Sequence, residues 1–166
     1  TATFTSPASA FNEAAVVFSG LAIDSPGAGV SEVRVAISSN AGVVNSWWDG
    51  SSFSGAAENY LTPTGNWTVT LGAGGAPAIA AFTSGINYTI RIRTRDSAQP
   101  ATGNQNVENF TRIFDTDEAT GTITSPLHGT FKSANFVLTG ASNDTDPDLG
   151  GPLLASGVST VTLSVR

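Results

Sequence analysis

Carboxylates cluster in two segments of the second half of the sequence. Asp144, Asp146 and Asp148 alternate with other residues, and Asp115 and Asp117 lie in a second acidic segment before them. Ca²⁺ takes about six to eight oxygen ligands from loops of this kind, so all five carboxylates are candidate Ca²⁺ ligands. The spacing does not match an EF-hand, because the glycine and the final glutamate of that loop are absent. A solvated acidic loop without a metal is the alternative.

Three arginines alternate along one short segment, at Arg91, Arg93 and Arg95. On a β-strand this spacing puts all three on one face, where Arg34 from a neighbouring strand is expected to join them. The surface would suit an acidic glycan or a neighbouring subunit, because guanidinium groups bind anionic groups in planar pairs. Arg34, Arg91 and Arg93 are therefore candidate binding residues.

The alternative for this basic surface is a ladder of ion pairs across the sheet. Arg112 is expected to extend the surface on the other side, and Glu32 and Glu108 are the carboxylates that would pair with the arginines. Each exposed pair of this kind contributes only about 0.2–1 kcal/mol. A ladder would make the surface structural rather than functional.

Two adjacent tryptophans, Trp47 and Trp48, form a second candidate binding site. Neighbouring residues of a strand face opposite sides, so one ring is expected in the core and the other partly exposed. An exposed indole next to Asp49 could stack on a sugar, as in carbohydrate-binding modules. Packing beneath a loop is the alternative for both rings.

The sequence lacks the residues that most catalytic mechanisms need. It contains no cysteine, and its one histidine, His128, lies in a predicted turn rather than beside a nucleophile. No pair of acids is fixed across a cleft, as glycoside hydrolysis requires. We therefore expect no catalysis.

Composition limits the class of protein further. The 166 residues are 40% hydrophobic and 12% charged, with a formal net charge of −6, which argues against nucleic acid or an anionic membrane as a partner. No signal peptide and no apolar run of about 18 residues is present, so we expect no membrane insertion in this segment. Methionine is absent even at position 1, which predicts a processed or excised piece.

The element that must position these groups is the segment I-N-Y-T-I-R-I-R-T-R-D, residues 86–96. Tyr88, Ile90, Ile92 and Thr94 alternate with polar residues, which predicts a strand with one buried face and one row of guanidinium groups in water. Tyr88 follows a turn and has the position of a tyrosine corner, with a buried ring and a hydroxyl bonded to nearby backbone. We interpret this segment as the central strand F of a β-sandwich.

Further strands are predicted before and after this segment in the sequence. No amphipathic helix is predicted. In strand C, Val33, Val35 and Ile37 are expected to face inward, and an Asp-Gly dipeptide after Trp48 predicts a hairpin. The phase of the last strand is ambiguous from sequence. The predicted strands A, B, C, C-prime, E and G cover residues 1–7, 14–23, 30–38, 43–48, 67–71 and 107–114.

The sequence also contains an internal repeat. T-A-T-F-T-S-P at residues 1–7 recurs as T-G-T-I-T-S-P at 120–126, F-N-E-A-A-V-V-F-S-G at 11–20 matches F-K-S-A-N-F-V-L-T-G at 131–140, and G-V-S-E-V-R-V-A-I-S from residue 29 matches G-V-S-T-V-T-L-S-V-R from residue 157. One repeat is thus about 120 residues long. About seven strands in such a length are typical of an immunoglobulin-like sandwich.

These segments resemble the tandem bacterial immunoglobulin-like (Big-type) repeats of very large surface and secreted proteins. The acidic link at residues 114–120 resembles the family's Asp-Thr-Thr-x-Pro linker, but it lacks the proline that would stiffen it. The motifs that carry the resemblance are T-x-T-x-T-S-P at 1–7 and 120–126, S-G-x-A-x-D at 19–24, G-V-S-x-V-x-V at 29–35, W-W-D-G-S-S-F at 47–53, N-W-T-V at 66–69 and Y-T-I-R-I-R-T-R-D at 88–96.

The fold expected is all-β: one complete immunoglobulin-like domain at residues 1–117 and strands A to C of a second at 118–166. The parent chain is expected to continue beyond Arg166, or strands of another molecule to complete the second sandwich. The resemblance implies a structural or adhesive repeat of a cell-surface protein or extracellular filament, with neighbouring repeats or subunits, or a cell-surface glycan, as partners. The alternative is a carbohydrate-binding accessory module of a secreted protein.

Overall fold

The computed structural model describes residues 1–8, 10–12, 17–25, 27, 29–41, 46–98, 104–117, 120–125, 137, 139–143 and 161–162. The described residues form ten β-strands and one short 3₁₀ turn, Ile79–Ala81, but no α-helix. The strands are β1 (Ala2–Ser6), β2 (Val17–Ala22), β3 (Val30–Ser39), β4 (Ser46–Trp48), β5 (Phe53–Gly55), β6 (Thr68–Thr70), β7 (Ile86–Asp96), β8 (Gln105–Phe114), β9 (Thr120–Ser125) and β10 (Thr139–Asn143).

Strand β7 has the bounds and the alternation that the sequence predicts. Tyr88, Ile90, Ile92 and Thr94 are at most 5% exposed. β7 pairs with β3 on one side and with β8 on the other, both antiparallel, so β7 is a central strand as expected. The alternation of apolar side chains fixes the pairing register, since a slip of one residue would turn the apolar face outward.

Two antiparallel sheets enclose the main core. The larger has the strand order β5-β4-β3-β7-β8, and the smaller has the order β1-β2-β6. Phe18 and Val69 from the smaller sheet and Val35, Ile37 and Ile90 from the larger one belong to a single buried cluster. The all-β sandwich predicted from the sequence is confirmed, whereas the immunoglobulin-like class of its topology stays a prediction.

Aromatic rings fill the centre of this core. Phe82 lies 4.8 Å from Tyr88 and 5.2 Å from Phe11, measured between ring centroids, and both pairs are T-shaped. Phe11 also lies edge-on to Phe18, at 5.1 Å. Such pairs add about 0.5–1.5 kcal/mol each beyond their burial of area, so the ring cluster joins the two sheets strongly.

Some details differ from the sequence-based prediction. β5 was not expected, because Phe53–Gly55 lies in a stretch rich in serine, glycine and alanine; the hairpin after Trp48 pairs it with β4. The phase of β8 is set by Phe110 and Phe114, whose side chains face the core. The predicted strand residues 14–16 and 43–45 lie outside the described residues.

The chain leaves the sandwich beside its own first loop. Phe11 forms a parallel bridge with Phe114. The Phe11 N–H donates to the carbonyl oxygen of Ile113 at 2.9 Å, and the Asp115 N–H donates to the carbonyl oxygen of Phe11 at 2.9 Å. A segment near the start of the chain is thus hydrogen-bonded to the end of β8.

The smaller sheet contains a close approach that depends on glycine. A Cβ atom at Gly20 would overlap the carbonyl oxygen of Thr3 and the ring of Trp67. The Trp67 indole is fully buried there, and its Nε1–H donates to that same carbonyl at 3.1 Å. Glycine at this position therefore leaves room for the indole ring, and the buried indole N–H keeps a hydrogen-bond acceptor.

The internal repeat of the sequence is also a repeat of strand pairing. In β1–β2 the pairs are Ala2↔Ala22, Thr3↔Leu21, Phe4↔Gly20 and Ser6↔Ser19, with one residue skipped after Phe4. In β9–β10 they are Gly121↔Ser142, Thr122↔Ala141, Ile123↔Gly140 and Ser125↔Thr139, with one residue skipped after Ile123. Every pair of the first set has its aligned counterpart in the second, including the irregularity.

The hydroxyl of Tyr88 provides a test of the predicted tyrosine corner. It accepts a hydrogen bond from the Thr83 N–H at 2.8 Å, as the prediction requires. We expect Tyr88→Phe to lower the free energy of unfolding by about 1 kcal/mol, because the Thr83 N–H loses its partner while the ring is kept. Urea unfolding with an unchanged m-value would measure this.

Tyr60→Phe is the matched control, since Tyr60 is the other tyrosine of the chain and lies outside the core. We expect its effect to stay within about 0.5 kcal/mol. Equal midpoints for Tyr88→Phe and the unchanged protein would contradict the role assigned to the hydroxyl.

Candidate functional site

The candidate binding arginines lie together on the outer surface of the larger sheet. Arg34 on β3 is directly opposite Arg93 on β7, and Glu32 is opposite Arg95. Opposed residues of an antiparallel pair share a face, so these side chains all point away from the core. We call this surface the arginine face; it consists of Glu32, Arg34, Trp47, Glu58, Tyr60, Arg91, Arg93 and Arg95.

Glu32 is the carboxylate around which three of these arginines gather. Its Oε1 accepts a hydrogen bond from Arg34 Nε at 2.8 Å, and its Oε2 lies 3.6 Å from Arg95 Nε and 3.9 Å from Arg93 Nη2. The hydrogen bond from Arg34 lowers the pKa of Glu32, and the charges of the three arginines add to this against the opposing effect of burial. Glu32 therefore remains ionised and offsets part of the repulsion among them.

Arg91 is held by a second group of residues. It forms an ion pair with Glu58, and its Nε donates to Asn109 Oδ1 at 2.8 Å. Its guanidinium carbon lies 4.9 Å from the centre of the Trp47 ring. A cation over an indole gains attraction from the ring's electron-rich face, so Trp47 and Arg91 fix each other on the sheet surface.

Arg93 is the least neutralised of these arginines. Its guanidinium stacks 4.2 Å above the Tyr60 ring, and its nearest carboxylate oxygen, on Glu32, is 3.9 Å away. Its Nε atom is buried and has no hydrogen-bond partner. The side chain is 23% exposed, so an anion could reach the guanidinium from solvent. Among the described residues, this is where the face has most capacity for an added negative group.

The arginines are less solvated than the sequence suggests. Arg91 and Arg93 point away from the core as predicted, but three quarters of each side chain is covered. Tyr60 and Glu58 provide much of this cover, and sequence reasoning missed both. The pairing of Leu61 with Val35 brings this segment beside β3. No sequence signal predicts that pairing, because the segment has no strand-like alternation.

The prediction that Arg112 and Glu108 join this surface is wrong. Arg112 is opposite Tyr88 and Glu108 is opposite Ile92, and both of these β7 residues face inward. Arg112 Nε donates to the Pro7 carbonyl at 2.8 Å, and the guanidinium lies 4.4 Å from the centre of the Phe4 ring. Burial lowers the pKa of Arg112 at this position. It closes the edge of the sandwich instead of extending the arginine face.

The prediction of one partly exposed tryptophan is also wrong. Trp47 is 7% exposed and Trp48 is 6% exposed. They face opposite sides as expected, but Trp47 lies beneath Arg91, and Trp48 packs 5.2 Å from Phe53 and donates its Nε1–H to the Gly75 carbonyl at 2.8 Å. Neither indole offers an open face for a sugar to stack on.

The acidic residues proposed as Ca²⁺ ligands separate into two groups. Asp144, Asp146 and Asp148 lie outside the described residues, as does His128. Asp117 Oδ2 accepts a hydrogen bond from the Ser84 hydroxyl at 2.9 Å, and Asp115 Oδ1 accepts one from the Asp117 N–H at 3.0 Å. Within the described part of the chain, no three His, Cys, Asp or Glu side chains come together as a metal site. The Ca²⁺ site stays a prediction.

Two antiparallel sheets around one core, with a charged and aromatic outer surface, define this chain as a β-sandwich protein. Comparisons with family models, curated proteins and solved structures found no match. The part of the chain that the structure describes contains no helix with the length and hydrophobicity needed to cross a membrane.

The charge network around Glu32 predicts a pH-dependent contribution to stability. Because folding lowers the pKa of Glu32, its contribution is present above the unfolded pKa and is lost as the pH falls through the folded pKa. We expect Glu32→Gln to lower the free energy of unfolding by about 0.5–1 kcal/mol at neutral pH. The difference should vanish as the pH falls from about 5 to about 2, measured by urea unfolding.

Glu108→Gln is the control, because Glu108 is bonded to Asn106 and lies on the other side of the sheet from the arginine face. It removes the same charge and should show a smaller effect. A Glu32→Gln difference that persists unchanged at low pH would show that the carboxylate charge is not the cause.

Proposed function

We propose that this chain is a structural or adhesive repeat module of a bacterial cell-surface protein or extracellular filament. In this proposal, tandem immunoglobulin-like sandwiches place their ends at a defined spacing outside the cell, and neighbouring repeats or subunits are their partners. The module holds distance and shape and catalyses no reaction.

The repeated strand register carries this proposal. Two separate segments of one chain form the same antiparallel pair, with the same irregularity at Phe4 and at Ile123. A duplicated unit of this kind is the signature of an array whose members each present one compact module. The shared register supports a chain built by repetition, which is the property that a spacer needs.

The exit from the first sandwich also suits a spacer. The Thr116 N–H donates to the Ser84 hydroxyl at 3.0 Å, and that hydroxyl donates to Asp117. Thr116 and Asp117 are thus tied to Ser84, in the turn before β7. The link between repeats starts from a fixed point and direction although it lacks a proline, and this supports transmission of orientation from one repeat to the next.

Location on the cell tests the proposal. Antibodies raised against the whole chain should label the surface or filaments of intact cells of the parent bacterium in immunogold electron microscopy. An in-frame deletion of residues 1–117 should shorten the labelled structure. An antibody against a cytoplasmic protein is the control, and labelling that appears only after the cells are permeabilised would contradict the proposal.

A second candidate function is an accessory module that binds an acidic glycan. The observation that favours it is the arginine face, where four guanidinium groups lie with two carboxylates and Arg93 remains accessible beside Tyr60. Charge-assisted pairs between arginine and carboxylate or sulfate would supply the recognition. The buried tryptophans offer no support for stacking on a neutral sugar.

A glycan array probed with the labelled chain tests this candidate. Binding to sulfated or uronic-acid glycans should fall at least about tenfold in Arg93→Gln, because the guanidinium with the weakest carboxylate pairing is lost. Arg166→Gln, which removes the same charge at the last residue, should leave binding unchanged. Retention of neutral glycans alone, or equal binding by both variants, would contradict it.

A further inference from the structure

The β9–β10 pair exposes a surface whose counterpart in the first repeat is covered. All six residues of β9 are exposed, and Ile123 is 57% exposed although its counterpart Phe4 packs against the core. The neighbouring Val161, the counterpart of Val33, is 69% exposed. Within the described residues, β10 pairs with β9 alone. In the described part of this region, an apolar surface and a strand edge are therefore open together.

The first repeat shows what covers this surface. β6 lies antiparallel beside β2, with the pairs Val17↔Thr70, Phe18↔Val69 and Ser19↔Thr68. The Gly20 N–H donates to the Trp67 carbonyl at 3.2 Å, and the Ala22 N–H donates to Asn66 Oδ1 at 2.7 Å. The Trp67 ring lies over Gly20, reaches the Thr3 carbonyl and contacts Phe4 at a centroid distance of 5.4 Å.

The groups of β1 and β2 that contact Asn66 and Trp67 have counterparts on β9 and β10. Gly140 replaces Gly20, and a Cβ atom there would overlap the carbonyl oxygen of Thr122, the counterpart of Thr3. By the shared register, the N–H groups of Gly140 and Ser142 point to the open edge. An open groove of about 460 Å³ lies between Ile123, Gly140 and Val161, where the first repeat holds its indole.

We propose that the β9–β10 pair is an acceptor site for an antiparallel strand of the β6 type, with the pattern Asn-Trp-Thr-Val-Thr. The incoming tryptophan lies over Gly140 and donates its Nε1–H to the Thr122 carbonyl. Its own carbonyl accepts from the Gly140 N–H, and the asparagine side chain accepts from the Ser142 N–H. The proposal rests on the repeat that supports the proposed function, and it names the partner that completes this sheet.

The chemistry of the site selects this occupant over an arbitrary strand. Strand addition supplies main-chain hydrogen bonds with little sequence preference, and side-chain pockets supply specificity. Because a residue with a side chain at Gly140 would fill the space above the Thr122 carbonyl, the glycine leaves room for a flat ring. An aliphatic side chain would leave that carbonyl covered without a donor, at the cost of an unsatisfied polar group.

A peptide from the chain itself provides the probe. We expect a synthetic peptide of residues 64–72, T-G-N-W-T-V-T-L-G, to bind the full-length chain and to shift the NMR amide signals of Thr139–Asn143. Signals of β1 and β2 should not move, because β6 already occupies their edge. The same peptide with alanine in place of tryptophan should bind at least about tenfold more weakly.

Two variants of the chain locate the site. Ile123→Asp places a charge in the groove and should abolish binding, since the carboxylate would have to be desolvated. Val107→Asp is the matched control, because Val107 is also an exposed aliphatic residue but lies on β8 of the first sandwich. Binding by Ile123→Asp, equal affinity for the tryptophan and alanine peptides, or no binding at millimolar peptide would overturn the proposal.

Self-association of the chain without peptide, mapped to β10 and unaffected by added peptide, would also overturn it, because the occupant would then be a second copy of β10. None of these outcomes bears on where the protein is located. A negative peptide result with positive surface labelling therefore rejects the acceptor site and retains the proposed function. Peptide binding without surface labelling retains the acceptor site and rejects the proposed function.

Discussion

Burial of one side of β7 between the two sheets is the constraint on which the rest of the structure depends. Tyr88, Ile90 and Ile92 are almost completely removed from water, and the pairing of β7 with β3 and β8 aligns the apolar residues of those strands with them. With a side-chain period of two, the same register sends Arg91 and Arg93 to the outer surface. The arginine face is thus a consequence of the core, since no shift could move one without the other.

The sequence predicted those features that depend on local alternation. Strand β7 and the inward residues of β3 follow from period-two patterns, and the hairpin after Trp48 follows from its Asp-Gly turn. The hydrogen bond of Tyr88 was predicted from a single residue type after a turn. These features hold because burial of the apolar face is worth more than any competing local preference.

The features that the sequence did not predict depend on contacts between distant segments. The cover that Glu58 and Tyr60 provide for the arginines requires a pairing with β3 that has no local signal. Arg112 was placed on the wrong side because phenylalanines on alternate positions and an ambiguous Ile113 left the phase of β8 open. One of the two tryptophans was expected to be partly exposed because a strand has only two faces, and cover of the outer face by Arg91 has no signal in the sequence.

Repetition extends these relations along the chain. Gly20 and Gly140 are both needed because a carbonyl oxygen of the neighbouring strand lies where a Cβ would be. The two glycines occupy aligned positions in strand pairs of the same register, and a neighbouring carbonyl oxygen excludes a side chain at both. The aligned sequence segments therefore share the same local geometry. The repeat thus conserves a backbone contact as well as a motif within this one molecule.

The parallel bridge between Phe11 and Phe114 has a mechanical consequence for a chain held at both ends. Tension would pull the Phe11 segment towards Thr1 and the Phe114 segment towards the residues beyond Asp115. The two bridged segments would therefore be pulled in opposite directions. The hydrogen bonds from Phe11 to Ile113 and from Asp115 to Phe11 would then be loaded in shear and would have to lengthen together. Separation one bond at a time, as in the opening of a zipper, is not available in that geometry.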